Sequence, residues 1–140
     1  KFFCPLFSKG EMDTLLLFLL IYMNTEKLLD LVKNALEDKK AQNIKILDVR
    51  TLSNFTDFMI VATGRTGRQV FALAQYVIDQ VKTSGYRPLG EEGDKVGEWV
   101  LVDLGDIIVH VMQPHTRDFY QLEKLWSEVG ENTQLEPLSG

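Results

Sequence analysis

The spacing of apolar residues predicts two amphipathic helices. From Thr25, which is placed to cap a helix, one apolar stripe runs through Leu28, Leu31, Val32, Ala35 and Leu36. Thr66 is followed three residues later by Gln69, a spacing typical of a capping box. The stripe after it ends near Ser84-Gly85 and consists of Val70, Leu73, Ala74, Val77, Ile78 and Val81.

Three segments outside these helices have the character of strands. Residues 44–49, "IKILDV", predict a first strand. In residues 57–64, "DFMIVATG", both the odd and the even positions are apolar, which is typical of a central strand covered on both faces. Residues 86–90, "YRPLG", can form only a short edge strand because Pro88 has no N–H to donate. When a helix connects two parallel strands of one sheet, the connection is almost always right-handed, so we expect a right-handed crossover here. The pattern therefore predicts an α/β fold, a small mixed β-sheet flanked by helices.

Residues 98–112, "EWVLVDLGDIIVHVM", predict a hairpin that turns at Leu104-Gly105. With these two residues as the loop, the facing pairs are Asp103 with Asp106, Leu101 with Ile108, and Trp99 with His110. One face of the hairpin is then aliphatic and belongs to the core: Val100, Val102, Ile107, Val109 and Val111. The other face mixes an aromatic, a histidine and two like charges, so we do not expect it to be wholly buried: Trp99, Leu101, Asp103, Asp106, Ile108 and His110.

A last helix is predicted at residues 116–129. Its inner stripe would be Phe119, Leu122, Trp126 and Val129, with Arg117, Tyr120 and Lys124 nearer the outside. The polar residues 130–140 contain Pro137 and show no periodicity, so we interpret them as a tail.

Residues 1–22 differ in character from the rest. The apolar run at residues 15–23 is too short to span a bilayer, and no small-residue cleavage motif follows it. We interpret residues 1–22 as an extension derived from expression or upstream translation; a functional peptide or an added helix is the alternative. The domain itself would then comprise residues 23–129.

Composition narrows the class of protein. The 140 residues suit one domain, and a net charge of −5 argues against binding to bare nucleic acid and favours a basic protein as partner. Cys4 is the only cysteine, so there is neither an intrachain disulfide nor a cysteine-based zinc site. A reducing compartment fits, and we expect a cytoplasmic location and no association with a membrane.

Candidate chemistry is sparse. The loop in "MIVATGRTGRQV" lies between a strand and a helix, where phosphates bind, but it has only G-x-x-G and lacks the lysine and hydroxyl residue of a P-loop. Arg65 and Arg68 either hold an anion or an acidic partner or are simply solvated. Asp103 and Asp106 could contribute to a magnesium site but are equally well explained as turn residues. The two histidines have no third ligand at a familiar spacing, so we expect no metal, no cofactor and no enzymatic activity.

Four segments in order resemble the Iojap (RsfS) family of ribosomal silencing factors: "TDFMIVATGRTGRQV", "PLGEEG", "EWVLVDLGDIIVHVM" and "RDFYQLEKLW". The resemblance runs through nearly all of residues 25–127. It implies a nucleotidyltransferase-like fold without known transferase activity. It also implies binding to ribosomal protein L-fourteen on the large subunit, which sterically blocks joining of the small subunit and lowers translation when nutrients are scarce.

The resemblance further implies a set of partner-binding residues, taken from the matching segments: Glu92, Gly93, Trp99, Asp103, Asp106, His110, Arg117, Tyr120, Glu123 and Trp126. Arg117 and Tyr120 are the better contact candidates because they lie off the apolar stripe and their types are enriched at binding hot spots. Gly93 and Gly105 are expected to shape turns.

Several alternatives stay open at this point. Trp126 belongs either to the core or to the contact surface, and Asp103 serves either the turn or a contact. Trp99 and His110 form a partner surface, a homodimer surface or a face covered by a helix. A minor contact of Arg65 and Arg68 with ribosomal RNA is a further option. The competing functions are a phosphate-handling enzyme related to nucleotidyltransferases and a dimeric assembly module.

Overall fold

The structure is a computed structural model that describes residues 14–126, without the side chains of residues 18–23. Five strands form one mixed sheet in the order β1-β2-β5-β4-β3, in which β2 and β5 are parallel and the other neighbours antiparallel. This confirms the small mixed sheet flanked by helices. The elements are α1 (Thr14–Asp38), β1 (Gln42–Asp48), β2 (Phe58–Thr63), α2 (Gly67–Thr83), β3 (Gly90–Gly93), β4 (Trp99–Asp103), β5 (Ile107–Met112) and α3 (Pro114–Tyr120).

Helices α1 and α2 share one core with the first face of the sheet. All six predicted inward residues of α2 are buried. The Thr66 hydroxyl accepts the Gln69 backbone N–H at 3.1 Å, which confirms the predicted cap. The Gln69 side chain reaches back to the Arg65 N–H at 2.8 Å, one residue before the usual partner in a capping box.

Helix α1 differs from the prediction because it begins at Thr14 and passes through Thr25. The predicted cap at Thr25 is therefore wrong. Residues 14–24 contain neither glycine nor proline, so nothing local stops the helix. The Thr25 side chain is buried and donates a hydrogen bond to Asp106 Oδ2 at 3.2 Å. Residues 1–13 lie outside the described part of the chain, and the interpretation of residues 1–22 as an extension stays a prediction.

Strand β2 is buried throughout, as predicted for a central strand. The edge strand lies at Gly90–Gly93 rather than at residues 86–90, because regular pairing with β4 starts only after Pro88, where the Leu89 N–H donates to the Asp103 carbonyl at 2.8 Å. Gly93 lies in this strand and not in a turn. A Cβ at Gly93 would approach Val100 Cγ2 at 2.9 Å, so glycine allows close contact between β3 and β4.

The β4–β5 hairpin turns one residue later than predicted. Its loop is Gly105-Asp106, closed by a hydrogen bond from Leu104 N to Ile107 O at 2.9 Å, and Gly105 adopts the positive φ of +90° that the first loop position of such turns requires. The predicted facing pairs are therefore wrong; Trp99 faces Met112, Leu101 faces His110 and Asp103 faces Ile108. The pairing shifts by two residues, which preserves the faces, so the aliphatic face is in the core as predicted.

The C-terminal helix is shorter than predicted. Helix α3 begins at Pro114 and ends at Tyr120, because its C-cap residue Gln121 takes the left-handed conformation (φ 48°, ψ 54°); residues 122–126 form a further helical turn. The predicted stripe assumed one continuous helix and is wrong: Phe119 is 78% exposed, and Arg117 is only 9% exposed. Val129 lies outside the described residues. Helix α3 packs on the second face of the sheet, opposite α1 and α2, through contacts with Thr63 and Trp99.

Candidate protein-binding groove

A groove of about 360 Å³ lies between α3 and the β3–β4 edge of the sheet. Its lining includes four residues that the resemblance implied as partner-binding: Glu92, Gly93, Trp99 and Tyr120. Sequence reasoning missed the other four: Asp94, Glu98, Leu101 and Thr116. We call this groove and its rim the edge groove.

Aromatic side chains form one wall of the edge groove. The ring of Tyr120 lies on that of Trp99, with centroids 4.9 Å apart and planes tilted by 50°. Phe119 meets Tyr120 edge to face at the same centroid separation of 4.9 Å. Tyr120 remains 51% exposed. Large exposed aromatic rings next to a groove are typical of protein-binding surfaces, where they supply much of the binding free energy.

His110 holds the ring of Trp99 in position through a hydrogen bond. The Trp99 Nε1–H donates to His110 Nδ1 at 3.1 Å, a diagonal contact across the β4–β5 ladder. Burial lowers the pKa of His110 from 6.5 to about 4, so the imidazole is neutral near pH 7 and its proton lies on Nε2. Nε2 is buried and finds no hydrogen-bond partner within residues 14–126. His110 is buried and Tyr120 of α3 packs against Trp99, as the interpretation of a face covered by a helix predicts; a partner or homodimer surface at Trp99 stays a prediction.

The rim of the edge groove carries the carboxylates of Glu92, Asp94 and Glu98. Asp94 Oδ1 accepts the backbone N–H groups of Gly97 and Glu98 at 2.8 and 2.9 Å, so this side chain also shapes the β3–β4 turn. Glu98 Oε2 lies 3.7 Å from Nε2 of His115, and Glu92 is exposed. An aromatic wall beside a negative rim is complementary to a surface that is both apolar and basic.

The glycine-containing loop before α2 is not an open phosphate cradle. The side chains of Thr66 and Gln69 already accept N–H groups at this helix start. The β3–β4 turn also closes over it: a Cβ at Gly67 would overlap the Val96 carbonyl oxygen, and a Cβ at Gly97 would come within 2.6 Å of the Gly67 carbonyl oxygen. Gly67 and Gly97 therefore allow the start of α2 and the β3–β4 turn to touch.

A second, more polar cleft of about 830 Å³ lies on the other side of α3 and includes two further residues implied as contacts, Arg117 and Glu123. Arg117 Nη2 and Nε lie 2.8 and 2.9 Å from Glu123 Oε2, and Nη1 donates to the Thr63 hydroxyl at 2.7 Å. Burial raises the pKa of the Glu123 carboxyl, but the hydrogen bond from Arg117, a backbone hydrogen bond and the charges of Arg117 and Lys45 together lower it below its usual value. Arg117 was expected near the outside; the structure places it inside.

The remaining implied contacts lie away from the edge groove. The Asp103 carboxylate accepts the Gly105 N–H at 2.9 Å, as expected of a turn residue, and Asp106 accepts the Thr25 hydroxyl. Trp126 is half-buried in the turn formed by residues 122–126. Within residues 14–126, no three His, Cys, Asp or Glu side chains are grouped so that they could hold a metal ion. In the same part of the chain, no helix combines the length and hydropathy needed to cross a membrane.

Comparison with known proteins places this chain in a family of ribosomal silencing factors. A family model described as "Ribosomal silencing factor during starvation" (RsfS) matches residues 22–139, so the chain belongs to the RsfS family. The ribosomal silencing factor RsfS of Haemophilus influenzae is 44% identical over 100 residues, which cover 71% of this chain and 98% of that protein. This confirms the family that the four sequence segments indicated.

Solved structures and a eukaryotic relative extend the comparison. The crystal structure of a protein from Chromobacterium violaceum matches with a TM-score of 0.71 at 47% identity, covering 73% of this chain and 85% of that one. Mouse "Mitochondrial assembly of ribosomal large subunit protein 1" is 29% identical over 102 residues, and the chain spans 45% of its length. The likeness to nucleotidyltransferases that the resemblance implied is not tested by these matches and stays a prediction.

Proposed function

We propose that this chain binds ribosomal protein L-fourteen on the large ribosomal subunit through the edge groove and sterically blocks joining of the small subunit. Membership of the RsfS family supports the ribosomal role. The observation that carries the assignment of the surface is the contact of exposed Tyr120 with half-buried Trp99, beside the carboxylates of Glu92, Asp94 and Glu98. A basic ribosomal protein is the kind of partner that this combination fits.

The mechanism needs no chemical step. A protein that covers part of the surface where the subunits meet must be displaced before they join, so the apparent affinity of joining falls by the factor 1 + [L]/Kd. The acidic rim speeds encounter with a basic surface and makes the association rate sensitive to salt. Repression under nutrient limitation follows if the factor saturates large subunits under those conditions, and we place this event in the cytoplasm.

The test is the binding of the protein to purified bacterial large subunits, measured by cosedimentation. Tyr120→Ala should weaken binding by about 5- to 30-fold, or about 1–2 kcal/mol, because it removes half of the aromatic wall. Phe71→Ala is a matched control, since Phe71 is an aromatic on α2 that is 39% exposed and lies outside the groove. Equal binding of both variants and the unmodified protein would show that the edge groove is not the contact surface.

Two further elements of the proposal concern other contacts. Arg65 and Arg68 are exposed at the start of α2 and supply a minor contact with ribosomal RNA. When the side-chain oxygen of Gln42 faces Arg65, it accepts hydrogen bonds from Nε and Nη2 of Arg65 at 3.1 and 3.0 Å. These bonds hold the guanidinium of Arg65 in place. Arg65→Ala and Arg68→Ala should therefore lower affinity for the large subunit slightly and leave affinity for isolated L-fourteen unchanged.

Two alternatives make different predictions for the free protein. A self-complementary edge groove would produce a dimer, detectable by sedimentation velocity, in which Tyr120→Ala is monomeric. A phosphate-handling enzyme would bind a nucleoside triphosphate with Mg²⁺ with a dissociation constant far below about 1 mM. For a loop closed in this way, we expect calorimetry to give a dissociation constant no lower than about 1 mM, which corresponds to a binding free energy of about 4 kcal/mol.

A further inference from the structure

We infer that Arg117 is a positioning residue for the edge groove: it fixes helix α3 on the sheet so that Tyr120 lies on Trp99, and it does not contact the partner. This inference rests on the proposed function only in identifying the groove as the binding surface. Arg117 is 9% exposed, and its guanidinium lies toward the polar cleft, on the other side of α3 from the groove. A side chain in this position has little surface to offer a partner.

Within residues 14–126, few other contacts define the position of helix α3. It has seven residues, its N-cap residue Gln113 makes no side-chain capping bond, and its C-cap residue Gln121 is in the left-handed conformation. A helix this short is marginal by itself, so tertiary contacts must hold it. The N-terminal half does receive help, because the Gln113 side chain donates to the Gly97 carbonyl at 3.0 Å. The second half, which carries Tyr120, has Arg117 as its buried polar anchor.

Arg117 and Tyr120 contact the same transverse row of the sheet at two different strands. Thr63 at the end of β2 and Trp99 at the start of β4 both pair with Met112 of β5, so the three side chains lie side by side on the second face. Arg117 donates a hydrogen bond to Thr63, and the ring of Tyr120 packs at a tilt against that of Trp99. Helix α3 therefore lies across this row with one contact on each side of the fully buried Met112. A displacement of α3 at Arg117 therefore also displaces Tyr120.

The chemistry of the Arg117 contacts favours a role in orientation. A buried ion pair is weak support for stability, because desolvation offsets much of the attraction and apolar residues of similar volume often serve as well. The planar guanidinium, by contrast, donates in fixed directions, here to Thr63 and through two nitrogens to Glu123. Glu123 belongs to the turn after Gln121, so one side chain joins β2, α3 and the following turn. These contacts fix the position of α3 on the sheet in addition to holding the helix against it.

The first test is spectroscopic and needs no ribosome. In the free protein, the indole N–H resonance of Trp99 reports the ring current of Tyr120, and a Trp126→Phe variant assigns the resonance. Arg117→Met, which keeps the aliphatic stem, should shift this resonance toward its position in Tyr120→Ala. Thr63→Val, which removes one acceptor with little change in shape, should shift it in the same direction, and Arg117→Lys should shift it less than Arg117→Met. An unchanged resonance in folded Arg117→Met and Thr63→Val would overturn the inference.

The second test is a double-mutant cycle on binding to purified bacterial large subunits. Arg117→Met alone should weaken binding by about fivefold, but in a Tyr120→Ala background it should change affinity by less than about twofold, because the ring it positions is gone. Independent effects that multiply would mean that Arg117 contacts the partner itself and would overturn the inference. If the unmodified protein did not bind large subunits, the proposed function would fail, and the indole resonance would still decide the role of Arg117.

Discussion

The buried imidazole of His110 predicts a specific dependence of stability on pH. Burial lowers its pKa in the folded protein from 6.5 to about 4, while the unfolded chain keeps the ordinary value. Between these two values the unfolded state binds a proton that the folded state does not, so the free energy of unfolding must fall as the pH falls. The stability that neutral His110 contributes is fully present above the unfolded pKa and is lost progressively below it.

The magnitude follows from the gap between the two pKa values. At 1.36 kcal/mol per unit, a gap of roughly 2.5 units corresponds to a loss of about 3 kcal/mol once the pH is below both values. About 1 kcal/mol of this should already be lost between pH 7.5 and pH 5.5. That interval is the informative one, because carboxyl groups contribute increasingly at lower pH; burial and the charge of Asp106, for example, raise the pKa of Asp57.

Urea unfolding curves at pH 7.5 and pH 5.5 measure this effect. We compare the unmodified protein with His110→Gln, whose side chain cannot be protonated in this range. The loss of stability on acidification should be smaller by about 1 kcal/mol in His110→Gln. Equal losses in the two proteins would refute the assignment of a neutral, buried imidazole beneath Trp99.

Three other predictions test the fold, the boundary and the charge of the rim. Gly67→Ala should destabilise the protein by about 2 kcal/mol or more, because its Cβ meets the Val96 carbonyl, whereas Gly90→Ala, which meets nothing within 4 Å, should cost little in a thermal melt. Deleting residues 1–22 should leave folding and binding to large subunits intact; a deletion variant that unfolds would show that this segment is structural. Glu92→Lys should slow association with large subunits and reduce its salt dependence while leaving the melting temperature nearly unchanged, and an unaltered association rate would exclude steering by the rim.

Features that depend on neighbouring residues were predictable from the sequence. The Thr66 cap and the inward stripe of α2 follow from local spacing, and the structure has both. The faces of the β4–β5 hairpin were also predictable, because alternation along a strand survives a shift of two residues. The loop position was not, since Leu104-Gly105 and Gly105-Asp106 both place glycine in a two-residue turn, and only the required positive φ at the first position selects the second.

The candidate site was harder to predict because its residues are joined by tertiary contacts. Arg117 resembled a surface residue on a helical pattern, but Thr63, 54 positions away, and Glu123, beyond the helix end, bury it. Phe119 resembled a core residue because the pattern continued through Leu122 and Trp126, and nothing local marks the left-handed Gln121. Asp94 and Glu98 were missed because they lie in a turn. These two carboxylates lie four positions apart in the sequence, and they converge with Tyr120 only when α3 packs on the sheet.

The proposed function requires that this protein prevent subunit joining by occupying the large subunit through the edge groove. Light scattering on mixing purified small and large subunits measures joining directly, with the large subunits first incubated with increasing concentrations of the protein. We expect joining to slow as the concentration rises, and we expect Tyr120→Ala to require about 5- to 30-fold higher concentration for the same effect, in proportion to its weaker binding. Unchanged joining at a concentration where cosedimentation shows the large subunits to be fully occupied would contradict the proposed function.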